Sequence, residues 1–76
     1  MLEKDYKNVS EAGAGDIVSM NTKYFKEGTK GTIQCTNFSY DGEVLGFDIL
    51  FEDGFIEYCP IEEIDRQIKN LVDTKV

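Results

Sequence analysis

The dipeptide Asp53-Gly54, set between two runs of strand-forming residues, constrains this chain more than any other feature. Asp-Gly is a strong short-range signal for a β-hairpin, because a type I′ turn needs positive φ at both of its central residues. With a two-residue turn there, Glu52 faces Phe55, Phe51 faces Ile56, Leu50 faces Glu57 and Ile49 faces Tyr58. Side chains alternate along a strand, so this register predicts that Phe47, Ile49, Phe51, Ile56 and Tyr58 share one apolar face, the core. Asp48, Leu50, Glu52, Phe55, Glu57 and Cys59 then share the opposite face.

The segments around the hairpin also read as short strands. Asp16-Ile17-Val18-Ser19-Met20 is a strand candidate entered through Gly15. Asn21 to Lys30 is polar, holds Tyr24-Phe25 in its middle and closes at Gly28 and Gly31, which makes it a loop. Thr32 to Phe38 alternates, with Ile33 and Cys35 on one face and Thr32, Gln34 and Thr36 on the other. Ser39-Tyr40-Asp41-Gly42 is a turn. Pro60 ends the second strand of the hairpin, since proline cannot donate to a ladder.

Beyond Pro60, Ile61, Ile64, Ile68 and Leu71 fall at i, i+3, i+7 and i+10, one helical stripe. Glu62, Glu63 and Asp65 lie in the first turns, where the helix dipole favours negative charge, and Lys69 follows. A short C-terminal helix is therefore expected. Residues 1–14 read as an N-terminal arm. Leu2, Tyr6 and Val9 could form one helical face, but the stretch ends in Ala12-Gly13-Ala14-Gly15, and a free segment and a short helix both fit it. Residues 15–76 make the folded domain. Its expected class is mainly β: four to five short antiparallel strands in a small, strongly bent sheet or barrel, with the helix capping one end.

Composition narrows the function classes. The chain has 76 residues, 41% of them hydrophobic, enough for a core but a thin one. A domain of this size buries only ~60% of its unfolded surface, which leaves little stability to hold strained catalytic geometry. Histidine is absent, which removes the usual general base near neutral pH and the commonest metal ligand. No apolar run is long enough to span a membrane. The first residues, Met1-Leu2-Glu3-Lys4-Asp5, hold no apolar signal core, so a cytoplasmic protein is expected. Cys35 and Cys59 lie 24 residues apart with no Cys-x-x-Cys pair, and reduced, partly buried thiols are the expectation.

Charge is the sharpest compositional signal. Eight Lys+Arg against fifteen Asp+Glu give −7. Residues 1–38 carry five acids and five bases, so the whole excess lies in residues 39–76, with ten acids and three bases. From Asp41 to Asp65 there are nine carboxylates and no base.

Each chemical motif has a plainer reading. Gly28-Thr29-Lys30-Gly31-Thr32 has the wrong order for a phosphate-binding loop and leads into a strand, so it is a turn. Asp41, Glu43, Gly46 and Glu52 match positions 1, 3, 6 and 12 of a calcium loop, but Leu45 and Ile49 cannot ligate and the flanks are strands. No metal site or cofactor is expected. The cysteines, Ser10, Ser19 and Ser39 have no histidine to activate them, and the carboxylates are too many for one pair to stand out. No catalytic residues, and hence no enzyme, are expected.

Four stretches together resemble the successive strands of a small SH3-like barrel: Gly15-Asp16-Ile17-Val18, Gly28 to Ile33, Phe47 to Gly54, and Pro60 to Ile64. The resemblance covers residues 15–65 and is similar to bacterial KOW-type barrels, where a Gly-Asp-x-Val strand precedes a Gly-x-x-Gly-x-Ile/Val strand. It implies a fold more than an activity. KOW-type domains commonly contact RNA or ribosomal and transcription proteins. This chain departs from them in its long Met20–Gly28 loop and in the uncompensated carboxylates. Phosphate contacts need Lys and Arg, so direct nucleic-acid binding is not expected. The basic cluster Lys23, Lys26 and Lys30 reads as an ordinary polar loop.

The function expected on these grounds is a non-catalytic protein-interaction module that docks an acidic surface on a basic partner. Leu50 and Phe55 are its apolar anchors, and Asp48, Glu52 and Glu57 its charged rim. The N-terminal arm or the C-terminal helix could instead cover Leu50 and Phe55. One alternative is an acidic inhibitor that mimics nucleic acid and blocks a DNA- or RNA-binding enzyme. Another is a small-ligand-binding domain lined by Tyr24, Phe25, Tyr40 and Tyr58. A sheet this small leaves a strand edge that could pair with a second copy as a homodimer.

Overall fold

The computed structural model describes residues 11–70. Within them, five antiparallel strands form one sheet in the order β4-β3-β2-β1-β5. The strands are β1 Asp16–Met20, β2 Lys30–Phe38, β3 Val44–Phe51, β4 Ile56–Pro60 and β5 Ile64–Asn70. A single turn of 3-10 helix, Ile61–Glu63, separates β4 from β5. The mainly β class expected from the alternating patterns is what forms. β2, β3 and β4 are joined by hairpins, whereas β1 lies between β2 and β5.

Of the expected arm, residues 1–10 lie outside the described residues, and its last stretch joins the fold. Ala12 is buried, Gly13 donates its N–H to Asp16 Oδ2 at 2.9 Å, and Gly15 donates its N–H to the Ile33 carbonyl at 2.9 Å. The core takes Val18 and Met20 from β1, Ile33 from β2, Phe47 and Ile49 from β3, Cys59 from β4 and Ile64 from β5. Phe25, Val44, Phe51 and Ile61 pack against it. Full burial of one such large side chain is worth about 1.5–3 kcal/mol, so each is a sizeable share of a small domain's stability.

The β3–β4 hairpin forms where Asp53-Gly54 predicts it, but in a different register. Leu50 pairs with Ile56, Ile49 with Glu57, Asp48 with Tyr58 and Phe47 with Cys59, one residue out of the expected pairing. The loop has three residues, not two. The Phe51 N–H donates to the Phe55 carbonyl at 3.0 Å and the Gly54 N–H to the Phe51 carbonyl at 2.9 Å. Gly54 is at φ 91, and the Phe55 N–H donates to Asp53 Oδ1 at 3.0 Å. This is a type I turn closed by a glycine bulge, which uses Asp-Gly as well as the two-residue turn does. The register also sets Pro60 beside Gly46, where a Cβ on residue 46 would lie 2.8 Å from the Pro60 Cα.

A one-residue slip sends every side chain of a strand to the other face. Cys59 therefore enters the core, while Ile56 and Tyr58, expected inside, are 57% and 49% exposed.

The expected C-terminal helix is absent: Ile64–Asn70 is strand β5, and Leu71 lies outside the described residues. β5 pairs with β1 with two register shifts that leave Asp65 and Ile68 without a partner in β1. Each bulge turns a strand's spacing of two into a spacing of three. Ile64 and Gln67 accordingly both point inward, whereas Ile68, the next member of the expected helical stripe, is the residue the second bulge leaves unpaired. A third irregularity, at Gln34 in β2, moves Cys35 off the Ile33 face and leaves it exposed opposite Asp48.

Candidate functional site

The observed register distributes the expected partner-binding residues over two faces of the hairpin. Asp48 and Leu50 lie on the outer face with Ile56 and Tyr58, because residues paired across an antiparallel ladder share a face. Glu57 lies on the inner face opposite Ile49, yet it is exposed on the edge strand. Glu52 is in the loop, and Phe55 stands at its neck, 67% exposed. Leu50 and Phe55 are thus not neighbours on one face. Leu50 is half-buried between Thr32 of β2 and Ile56 of β4.

Asp48 is engaged within the sheet and is not free as a rim charge. Cys35 Sγ donates to its Oδ2 at 3.0 Å and Asn37 Nδ2 to its Oδ1 at 3.2 Å. These bonds tie β2 to β3 across the outer face. The hydrogen bond to Asp48, first among the causes, raises the Cys35 pKa. Burial, with the nearby carboxylates of Glu63 and Glu57 adding to it, pushes the Cys59 thiol up to about 11. Both sulfurs are therefore protonated at neutral pH, the form that is a poor nucleophile and a poor metal ligand.

On the inner side of the hairpin lies a groove of ≈ 500 Å³. Phe25 from the β1–β2 loop stacks on Phe51, with centroids 5.8 Å apart and rings inclined by 26°. Glu52, Asp53 and Glu57 line the hairpin wall, and Lys26, Glu27 and Lys30 the loop wall. Sequence reasoning did not bring this loop and the hairpin together. The hydrophobic Phe25 within a polar stretch was the available signal.

Of the aromatic residues considered for a small-ligand pocket, only Phe25 lines this groove. Tyr40 is almost fully exposed, and Tyr58 belongs to the outer face. Asp41 and Glu52, the ends of the calcium-loop pattern, lie beyond opposite ends of β3. Among the described residues, no three His, Cys, Asp or Glu side chains are grouped to hold a metal ion. Ser39 Oγ donates to Asp41 Oδ1, which lowers the Asp41 pKa, and the Glu43 N–H donates to Ser39 Oγ. Those bonds close the β2–β3 turn.

Among the described residues, no helix is long and apolar enough to cross a membrane. The chain matches no known protein family, no curated protein and no solved structure.

Proposed function

We propose that this protein is a non-catalytic cytoplasmic interaction domain that docks its acidic hairpin onto a basic protein surface. The observation that carries the reading is the state of Glu52 and Glu57. Both are exposed, they line one groove over the Phe25–Phe51 stack, and neither has an ion-pair partner among the described residues. The groove sets Glu27, Glu52, Asp53 and Glu57 against Lys26 and Lys30, and this excess of carboxylate beside the Phe25–Phe51 stack suits a Lys or Arg side chain, whose stem packs on the rings while its head meets the acids. The net charge of −7 would speed encounter with such a partner.

The strand order, with β1 between β2 and β5 and one 3-10 turn before β5, supports reading the sheet as a small SH3-like barrel. Raised thiol pKa values and the absence of histidine support a role without covalent catalysis.

The test is affinity capture of a partner from the native host, followed by titration against salt. Affinity falls steeply as salt is raised, and Glu52→Lys with Glu57→Lys abolishes capture while the protein stays folded. Binding that ignores both salt and the double substitution sinks the reading.

A further inference from the structure

The two edges of the sheet are built differently. At the β5 edge two bulges interrupt the pairing with β1, and Asp65 and Arg66 stand side by side at 3.8 Å. Bulges and charges are the usual devices that keep an edge from accepting another strand. The β4 edge has no bulge and less charge. Its pairing with β3 runs from Gly46 to Leu50 without a register shift, and its sequence, Ile-Glu-Tyr-Cys-Pro, holds one charge and a proline only at the far end.

The hydrogen-bond phase is fixed at the hairpin neck. The Phe51 N–H to Phe55 carbonyl bond makes that pair a bonded one, and bonded pairs alternate along an antiparallel ladder. Phe55, Glu57 and Cys59 thus turn their backbone groups toward β3, and Ile56 and Tyr58 turn theirs outward. Around those outward groups the side chains of Ile56 and Tyr58 lie half exposed on the outer face, and Glu57 between them lies on the inner face.

We propose that the free edge of β4 takes an extended segment of a basic protein partner as a sixth strand of the sheet. Strand addition draws affinity from main-chain hydrogen bonds and specificity from alternate side chains. Here the alternation asks for apolar residues against Ile56 and Tyr58 and a Lys or Arg against Glu57. Charge complementarity selects this occupant over a second copy. Each copy carries −7, and antiparallel self-pairing that sets Ile56 opposite Tyr58 also sets Glu57 opposite Glu57. The inference rests on the acidic docking reading above and names the chemistry of its partner.

The test uses the full chain, a short synthetic peptide alternating isoleucine and lysine, and the same peptide N-methylated at its isoleucines, the residues that face Ile56 and Tyr58. At low salt the first peptide binds and slows amide exchange at Ile56 and Tyr58. The methylated peptide, which loses at least two edge bonds, binds about tenfold or more weakly. Ile56→Lys, at a half-exposed site, weakens binding to the same degree while the fold is kept. Tyr58→Pro removes an outward N–H and no bond to β3, and does likewise.

If both peptides bind equally, or protection appears elsewhere, the edge proposal falls and acidic docking stands. If the lysine peptide does not bind even at low salt, both fall. Protection of Ile56 and Tyr58 in the free protein, as a dimer or as a monomer, also overturns the proposal, since the edge is then already filled.

Discussion

Ile49 and Ile56 form a matched pair that tests the hairpin register. They are chemically identical and lie on adjacent strands, but Ile49 is fully buried and Ile56 is 57% exposed. Truncating a buried isoleucine to alanine costs about 2–5 kcal/mol through lost burial and the cavity left behind. Full burial of such a side chain is worth about 1.5–3 kcal/mol, and Ile56 realises less than half of it, so Ile56→Ala should cost about 1 kcal/mol. At roughly 0.05–0.15 kcal/mol per residue, a chain of 76 residues has only about 4–11 kcal/mol in total. Ile49→Ala thus removes a large share and Ile56→Ala a small one. Urea denaturation reads the difference: with a slope of about 1 kcal/mol per molar, the midpoint shifts by at least ~2 M for Ile49→Ala and ~1 M for Ile56→Ala. Should Ile49→Ala fail to fold, the valine variants keep the comparison, at about 0.5–1.5 kcal/mol for Ile49→Val and near zero for Ile56→Val. Equal costs at the two positions would refute the register, because the two-residue turn puts Ile56 in the core opposite Phe51.

Other outcomes follow from the same geometry. Gly46→Ala brings a Cβ against the Pro60 Cα at 2.8 Å and against the Cys59 carbonyl, backbone that cannot yield, and should lower stability by about 1–3 kcal/mol in thermal melts. Gly13→Ala, which meets nothing within 4 Å, is the control and should change little. Cys59 has a folded pKa raised to about 11, so its stabilising share is complete below the ordinary thiol pKa and is lost as pH climbs through the folded value. Urea midpoints of the native protein should therefore fall faster between about pH 9 and 11 than those of Cys59→Ala, and parallel pH curves would contradict this. Asp48→Asn removes the carboxylate that raises the Cys35 pKa, so alkylation of this exposed thiol at fixed, mildly alkaline pH should accelerate. An unchanged rate would show that the bond does not control the thiol.

The positions of the strands could be read from the chain because alternation and glycine turns are local signals. What could not be read was each place where a single extra residue enters a ladder. Asp53-Gly54 serves a two-residue and a three-residue loop equally well, so the dipeptide alone does not set the register that places Pro60 against Gly46. The extra residue at Gln34 moved Cys35 outward, and those at Asp65 and Ile68 break the alternation of β5, so that Gln67 and not Ile68 follows Ile64 on the inner face. The candidate site inherited the first of these errors. Glu52 and Glu57 were recognisable as unpaired acids from charge alone, but the face each occupies depends on the register. For the same reason the two-residue register sends Ile56 and Tyr58 to the interior, where the observed one does not. The Phe25–Phe51 contact joins a loop to a hairpin through tertiary packing, which no local pattern encodes.

The seam between β1 and β5 has a consequence for how the molecule assembles. Ser19 pairs with Arg66, nearly fifty positions along the chain, whereas the turns of the β2-β3-β4 meander close over a few residues. Loop closure over such a span must be met before its contacts reward it, so the meander can form early while the seam comes late and sets the pace. Until then Val18 and Met20 lack the cover of Ile64. A nascent chain released before that point would expose aliphatic surface to chaperones and proteases, and trimming the protein ahead of Ile64 should convert it from a folded domain into a degradation substrate.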